Sequence, residues 1–341
     1  MSPRRLVLLV NALDELHPEM ATALLGLRAA QRGSFVVFVP VEAFSWSAHG
    51  APLVRGKVAP GSGTPEEGLA ELARSEEITL SLRQGDVLLL RTNPARDPQR
   101  AGVHRAVMVL ARLAREAGVI VLNEPEGIER VGSKLYLLEL PETVRPRQVV
   151  TADPEVVWRF AERESGPVVL KPLCGTRGQG VVKVDWRREG VDVLRRATNE
   201  LLTGGHLVAQ EYLPEAPEGD VRVILLEGRP LTVDGHVAAV RRRPTVPGEF
   251  RSNVHLGGVA ERAEFVGGLR AVAEAVGPRL REAGIFLAGL DVVGSKIVEV
   301  NVFSPGGFAS AEEFSGVDFL GAVLDAVAVR AASFVPAPTR S

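Results

Sequence analysis

The chain has 341 residues, a formal net charge of −2, 45% hydrophobic residues and 24% charged residues. That length and composition suit two or three interlocking domains with sizeable cores. They exclude a disordered chain, and no overall positive field draws this one to nucleic acid.

Residues 6–10 read as a buried strand, 18–32 as a helix stopped at Gly33, and 35–41 as a second strand. Strand, helix, strand opens a parallel α/β layer. The stretch 45–66 is rich in Gly, Pro and Ser and reads as a surface excursion. Asp86–Arg91 is a third buried strand, 103–117 a helix ended by Gly118, and Val119–Leu122 a strand after it. Residues 1–124 therefore form an N-terminal α/β domain. Next come a short helix over Ser133–Leu140, a strand at Val149–Thr151 and a helix from Asp153-Pro154 to Ser165. Asp accepts free N–H groups there, and Pro suits the first turn. Strands 168–171 and 181–184 flank Cys174-Gly-Thr-Arg-Gly-Gln-Gly180, so 125–208 reads as a linker and a small α+β lobe. Strands 207–212, 221–227, 287–293 and 297–303, with helices near 262–283 and 316–333, build a last unit over 209–335.

Met1–Val10 carries two arginines before a five-residue apolar run, which reads as a first strand and not a signal peptide. No stretch approaches the ~20 apolar residues of a membrane span. A soluble cytoplasmic protein with neither membrane nor nucleic-acid partner is expected. The single cysteine, Cys174, excludes an internal disulfide and a Cys-based zinc site. The six histidines show no metal-ligand spacing.

Glycines 175, 178 and 180 let backbone N–H groups turn towards an anion. No Gly-Lys-Ser/Thr follows, so this is not a Walker loop, and a strand follows instead of a Rossmann helix. By itself the loop reads equally as a hairpin turn. Only five of the 40 basic residues are lysines, and one of them, Lys171, ends the strand before this loop. That position favours a phosphate over snorkelling to solvent. Lys134 alone reads as a solvated helix residue.

The strongest local signal is Gly289-Leu-Asp-Val-Val-Gly-Ser-Lys-Ile-Val-Glu-Val-Asn-Val302. It predicts a β-hairpin with a three-residue turn, Gly294-Ser295-Lys296. Glu299 and Asn301 then share a face, Asp291 lies opposite Glu299, and Val298, Val300 and Val302 take the other face. Acids between Val and Leu are costly unless paired or metal-bound, and hard cations want oxygen ligands. Asp291, Glu299 and Asn301 are therefore the candidate metal ligands. Arg241-Arg-Arg243 reads as a charge run, with Arg241 and Arg242 as solvated face, and Asp220-Val-Arg222 as a local ion pair before a buried strand.

In this order and spacing the segments resemble the ATP-grasp superfamily, and within it bacterial glutathione synthetase. The resemblance rests on Val168-Val-Leu-Lys-Pro-Leu-Cys-Gly175, Ala209-Gln-Glu-Tyr-Leu-Pro214, Gly219-Asp-Val-Arg-Val223, Arg251-Ser-Asn253 with Gly257-Gly258, and the 289–301 hairpin. It implies an ATP-grasp fold with a Rossmann-like N-terminal substrate domain, a lid and a C-terminal catalytic unit. It further implies that Lys134 and Lys171 hold ATP phosphates under the loop with Gly175, Gly178 and Gly180. Glu211, Tyr212 and Leu213 would meet adenine through the backbone, and Asp220 would lie near the ribose. Asp291, Glu299 and Asn301 would hold two Mg²⁺, with Mn²⁺ able to replace them. Arg222 and Arg243 would face the transferred phosphoryl group; Arg243 takes the family position because it sits eight residues before Arg251. Arg91, Arg251, Asn253, Gly257 and Gly258 would touch substrate, while Cys174 would be structural. The implied reaction is ATP-dependent carboxylate–amine ligation through an acyl phosphate, on γ-glutamylcysteine and glycine. The implied partners are small-molecule acids and amines, and the implied assembly is a homo-oligomer.

Two departures bear on the substrate. Gly306 and Gly307 replace larger residues after the metal asparagine, and an arginine of the family is missing there. Arg91-Thr-Asn-Pro94 stands where the family has arginine, lysine, aspartate and proline. A sister ligase on another acid–amine pair, and a nucleotide-binding protein without turnover, are the alternatives.

Overall fold

The computed structural model describes residues 5–173, 178–246 and 258–334. In the N-terminal part, β1 (Arg5–Val10), α1 (Ala21–Gln31) and β2 (Phe35–Pro40) form the expected parallel unit. β3 (Phe44–Trp46), β4 (Pro52–Val58), α2 (Pro65–Arg74) and β5 (Glu77–Ser81) follow. β6 (Val87–Leu90), α3 (Ala101–Glu116), β7 (Ile120–Leu122) and α4 (Pro125–Val131) complete it. The sheet runs β3-β4-β2-β1-β6-β7, with β5 on β4. β2, β1, β6 and β7 are parallel and β4 is antiparallel to β2. The parallel strands are buried on both faces, which is why they read as unbroken apolar runs.

The stretch 45–66 is not a surface excursion. β4 extends the sheet, with Val54 buried, and Gly56 lies where a Cβ would sit 2.2 Å from the Phe38 carbonyl oxygen. The glycine marks close backbone approach in a strand. Thr64 and Glu67 form a reciprocal capping box for α2, a Thr-x-x-Glu signal that composition obscured.

The middle part carries β8 (Gln148–Thr151), α5 (Pro154–Arg163), β9 (Val168–Pro172), β10 (Val182–Val184), α6 (Val191–Leu202) and β11 (Leu207–Glu211). Its antiparallel sheet, β10-β9-β11-β8, has its own small core of Val157, Ala161, Val168, Leu170, Leu194 and Leu207 under the helices. Lys134–Glu139, before this part, is a 3₁₀ segment capped by Ser133.

The last part carries β12 (Asp220–Leu226), β13 (Ala239–Arg243), β14 (Val259–Arg262), α7 (Gly268–Glu282), β15 (Leu287–Val293), β16 (Lys296–Asn301), α8 (Phe308–Ser315) and α9 (Phe319–Ala332). Its sheet is β14-β13-β12-β15-β16, all antiparallel. The helix expected near 262–283 begins only at Gly268, because 259–262 pairs with β13. One face packs on α7 through Val221, Val223, Leu290 and Val292. The other shares a core with the N-terminal sheet, through α8 and α9. Arg28 of α1 reaches Glu312 of α8 with two bonds of 2.9 and 3.0 Å. Buried Asn123, just after β7, ties that strand to β15 and to the residue that follows β16 (donating to Leu287 O at 3.0 Å and Val302 O at 2.7 Å). Its Oδ1 accepts from the N–H groups of Phe286 and Leu287, each at 2.8 Å.

Candidate active site

The site begins with strand register. Arg222 of β12 stands opposite Asp291 of β15, and Asp291 opposite Glu299 of β16. Asn301 is two residues on, so it shares the face of Glu299. The expected pairing of Asp291 with Glu299 is present, but by another route. The turn has two residues, since Val293 pairs with Lys296, and a β-bulge between Asp291 and Val292 adds the missing one. Such a bulge re-aims side chains. It also turns Val298 away from the face of Val300 and Val302. Val298 instead packs with Tyr212, Leu213, Ala216 and Val293.

The same pleat settles the arginine run. Asp220 pairs with Arg242 and Arg222 with Val240, so Arg242 lies on the face of Asp220 and Arg222. Its Nε donates to Asp220 Oδ1 at 2.7 Å, and its Nη2 lies 2.9 Å from Asp291 Oδ2. Arg243 is on the opposite face, half-exposed, and pairs with Glu261 at 3.3 Å. The expectation for Arg243 is thus corrected to Arg242. Asp220, expected near a ribose, is buried and has Arg242 as its partner.

Asp291 is the electrostatic centre. Arg222 donates from Nε to Oδ1 and from Nη2 to Oδ2, both at 2.7 Å, and Asn301 Nδ2 donates to Oδ2 at 3.1 Å. Burial alone would raise its pKa, but Arg222 and Arg242 hold it far below the usual carboxylate range. The same pair arrangement lifts Arg242 above an ordinary arginine against the cost of its burial, through Asp291 and Asp220. Glu299 is the opposite case. Burial, then the charge of Asp291, push its pKa up, and among the described residues its carboxylate has neither ion pair nor hydrogen bond. An unpartnered acid beside a second carboxylate and an amide oxygen is a donor set that fits a hard divalent cation.

Two lysines approach this face. Lys134 Nζ donates to Pro172 O at 2.5 Å, and Lys171 Nζ to Gln210 Oε1 at 2.8 Å. Burial pushes the Lys171 pKa down to about 8, with Glu299 opposing and Lys134 adding to the shift. Gln210 carries no distinguishing sequence signal beyond its place in the hinge motif; only the pairing of β11 with β9 reveals its contact with Lys171.

At the hinge, the Glu211 carboxylate accepts from Arg147 N at 2.8 Å and pairs with the Arg147 guanidinium, which also holds Glu164 at 2.7 Å. The N–H groups of Glu211 and Tyr212 are bonded to Arg147 O and Pro167 O. That of Leu213 has no acceptor among the described residues. Lys183 lies 4.0 Å over the Tyr212 ring. Gly178 and Gly180 have φ of 74° and 70°, the left-handed region that favours glycine. Gly258 precedes β14, and Arg91 lies in the N-terminal part, buried at the end of β6. Gly175, Cys174, Arg251, Asn253 and Gly257 lie outside the described residues.

With this geometry in place, comparison with known proteins decides the family. The model of the prokaryotic glutathione synthetase N-terminal domain matches residues 5–129, and that of the prokaryotic glutathione synthetase ATP-grasp domain residues 133–316. The chain belongs to the prokaryotic glutathione synthetase family. Glutathione synthetase of Parasynechococcus marenigrum (strain WH8102) is 33% identical over 315 residues, 90% of this chain and 94% of that one. That of Prochlorococcus marinus (strain MIT 9313) is 32% identical, covering 92% and 95%. Among solved structures, the ATP-grasp ligase PsnB with its minimal precursor aligns at TM-score 0.59 and 21% identity, over 95% of this chain and 98% of that one. D-cycloserine synthetase DcsG aligns at 0.60 and 15%, over 94% and 99%. These two share the fold. This member is an ATP-grasp ligase of the glutathione synthetase type, an enzyme that forms a C–N bond using ATP and a divalent metal on small-molecule substrates. Among the described residues, no helix of this glutathione synthetase relative is long and apolar enough to cross a membrane.

Proposed function

We propose that the enzyme joins γ-glutamylcysteine to glycine, and that the face carrying Asp291, Glu299, Asn301, Arg222 and Arg242 is where phosphoryl transfer occurs. One observation carries the site assignment: the Glu299 carboxylate, unpartnered among the described residues, stands opposite Asp291, close enough to Lys134 and Lys171 for their charges to reach it. Asp291, Glu299 and Asn301 would hold two Mg²⁺, or Mn²⁺ in their place, which would neutralise charge on the phosphates. Lys134, Lys171 and the loop with Gly175, Gly178 and Gly180 would hold the phosphates themselves. Adenine would lie against the cluster of Tyr212, Leu213 and Val298, offering an acceptor to the unused Leu213 N–H. Asp220 positions Arg242.

The acid carboxylate attacks the γ-phosphorus and the bond to ADP breaks. The amine nitrogen then attacks the acyl carbon, gives up a proton, and phosphate leaves with its bridging oxygen as the acyl C–O bond breaks. Such transfer rests on alignment and charge neutralisation, which Arg222, Arg242 and Lys171 provide without a side-chain nucleophile. Arg251, Asn253, Gly257 and Gly258 belong to the same proposal as substrate contacts. A homo-oligomer and a cytoplasmic location complete it, as the resemblance implies.

A second reading, a sister ligase on a larger acid, is favoured by Gly306, where an added Cβ would meet nothing within 4 Å. The test is ADP release with Mg-ATP, γ-glutamylcysteine and glycine, with mass spectrometry of the product. Glutathione confirms the pair. ADP and a different amide from another pair would replace the substrates and keep the chemistry. No ADP with any pair would overturn the site assignment.

A further inference from the structure

The middle sheet presents one row of side chains on the face that carries Lys171. The register runs straight across its four strands. Lys183 of β10 stands opposite Val169 of β9, Val169 opposite Gln210 of β11, and Gln210 opposite Gln148 of β8. Lys171 is two residues from Val169 and so lies on the same face. Val149, Val168 and Ala209 alternate with this row and pack in the core under α5 and α6, on the other side of the sheet. At one end of the row Lys183 lies 4.0 Å over the ring of Tyr212, part of the apolar cluster proposed to receive adenine. At the other end Gln148 adjoins Arg147, whose N–H donates to the Glu211 carboxylate at 2.8 Å and whose carbonyl accepts from Glu211 N at 3.0 Å. The row therefore spans the hinge from side to side.

Gln148 is the anomaly in that row. Both ends of its carboxamide, Oε1 and Nε2, are buried and have no hydrogen-bond partner among the described residues. Its neighbour Gln210 is in use, with Oε1 accepting from Lys171 Nζ at 2.8 Å. Buried polar atoms are ordinarily paired, and each one left over asks for an explanation. A carboxamide sets an acceptor beside a donor in one plane. Its partner must present a donor and an acceptor side by side. The 6-amino group and N7 of adenine do so, and glutamine meets them with two parallel bonds. Guanine presents two acceptors on the same edge, so its O6 would face Oε1 in repulsion.

We infer that Gln148 is a specificity-determining residue for the nucleotide: its Oε1 accepts from the 6-amino group of the base and its Nε2 donates to N7. The edge with N1 is left to the N–H of Leu213. The base is then read from two sides, by a backbone group of the hinge and by a side chain of β8. The inference rests on the reading of this face as the ATP site. Binding is therefore measured without turnover, so that the two can fail separately.

Isothermal titration of the full chain compares Mg-ADP with Mg-7-deaza-ADP, in which N7 is a C–H, and with Mg-IDP, in which the 6-amino group is a carbonyl. Wild type should bind ADP about 10-fold or more tighter than 7-deaza-ADP, the effect of one hydrogen bond to an otherwise unpaired buried donor. Gln148→Met keeps the length of the side chain and removes the amide. It should bind ADP about 10-fold or more weakly than wild type, and ADP and 7-deaza-ADP within about twofold of each other. Its preference for ADP over IDP should narrow without vanishing, since Leu213 still reads N1. Without nucleotide it should melt no lower than wild type, because the amide removed has no partner among the described residues. Gln148→Leu serves if Gln148→Met does not fold. Wild type that binds ADP and 7-deaza-ADP alike would overturn the inference and leave the nucleotide reading standing. An N7 effect of equal size in wild type and variant would hand N7 to another group, Lys171 being on the same face, and would also overturn it. A variant that melts well below wild type yet discriminates as wild type does would make Gln148 structural. A chain that binds no adenine nucleotide would overturn both readings.

Discussion

Arg222 and Asp291 meet in a two-pronged pair across β12 and β15, with both bonds at 2.7 Å. Arg242 approaches the same carboxylate at 2.9 Å, so two arginines converge on one acid. A parallel fork of this kind fixes direction as well as charge. The fork therefore fixes the orientation of Asp291 and of both guanidinium groups on this face.

The arginine correction gives the sharpest mutational contrast. Arg242→Met should lower kcat/KM by about 100-fold or more, comparable to losing a preorganised electrostatic donor. It should also lower the melting point, because Asp220 and Asp291 lose a buried partner. Arg243→Ala should change kcat/KM by less than about twofold, as exposed ion pairs contribute little. Steady-state kinetics of both variants decide the matter; the reverse ranking would restore Arg243 to the site.

Glu299→Ala should lose nearly all ATP turnover, about 10³-fold, since in the proposed site charge neutralisation at the transferred phosphoryl group would depend on it. Its folded state should be at least as stable as wild type, because the carboxylate removed has no partner among the described residues. Coupled ADP assays and calorimetry test the pair of outcomes. Loss of activity together with a large drop in melting temperature would point to a structural role.

The Lys171 pKa of about 8 predicts a pH effect on nucleotide binding. The ammonium is present below that value and lost above it, so affinity for ATP should fall as pH rises through about 8. Lys171→Arg should flatten the dependence over the same range, since arginine stays charged. The linkage to stability has the opposite direction. The unfolded lysine, near its ordinary value of about 10.4, binds a proton that the folded one has released. Between these two pKa values this group's contribution to stability rises with pH. Fluorescent-nucleotide titrations from pH 7 to 9.5 would show the first effect; an affinity independent of pH would refute it.

Asn123 satisfies two N–H groups and two carbonyls of β15 and the segment after β16. Asn123→Ala should reduce unfolding free energy by about 3 kcal/mol or more, because buried groups lose partners at roughly 1–3 kcal/mol each. Urea denaturation measures this directly. A change below about 1 kcal/mol would mean that water enters and replaces the bonds.

Much of the fold was legible in the sequence. The runs at 6–10, 35–40 and 87–90 announce buried parallel strands because apolar side chains occupy both faces. β4 was hidden by Gly56 and its flanking prolines, although the glycine is there to admit the Phe38 carbonyl. Local composition signals a loop in such cases when the true constraint is contact with a distant strand.

The sequence by itself determined the chemical inventory: Asp291, Glu299 and Asn301 in alternating order, Lys171 before a glycine loop, and a family membership carried by their spacing. Tertiary structure decided which arginine serves Asp291. Arg242 and Arg243 differ by one residue, and in a strand one residue is the difference between two faces. Which face points at the site depends on the pairing of β13 with β12 across the intervening 227–238 connection. The isolation of Arg91 was equally invisible. It has no carboxylate partner among the described residues, and its hydrogen bonds go to positions 22 and 305, far away in the chain, which only the packing of the N-terminal sheet on the C-terminal unit brings together.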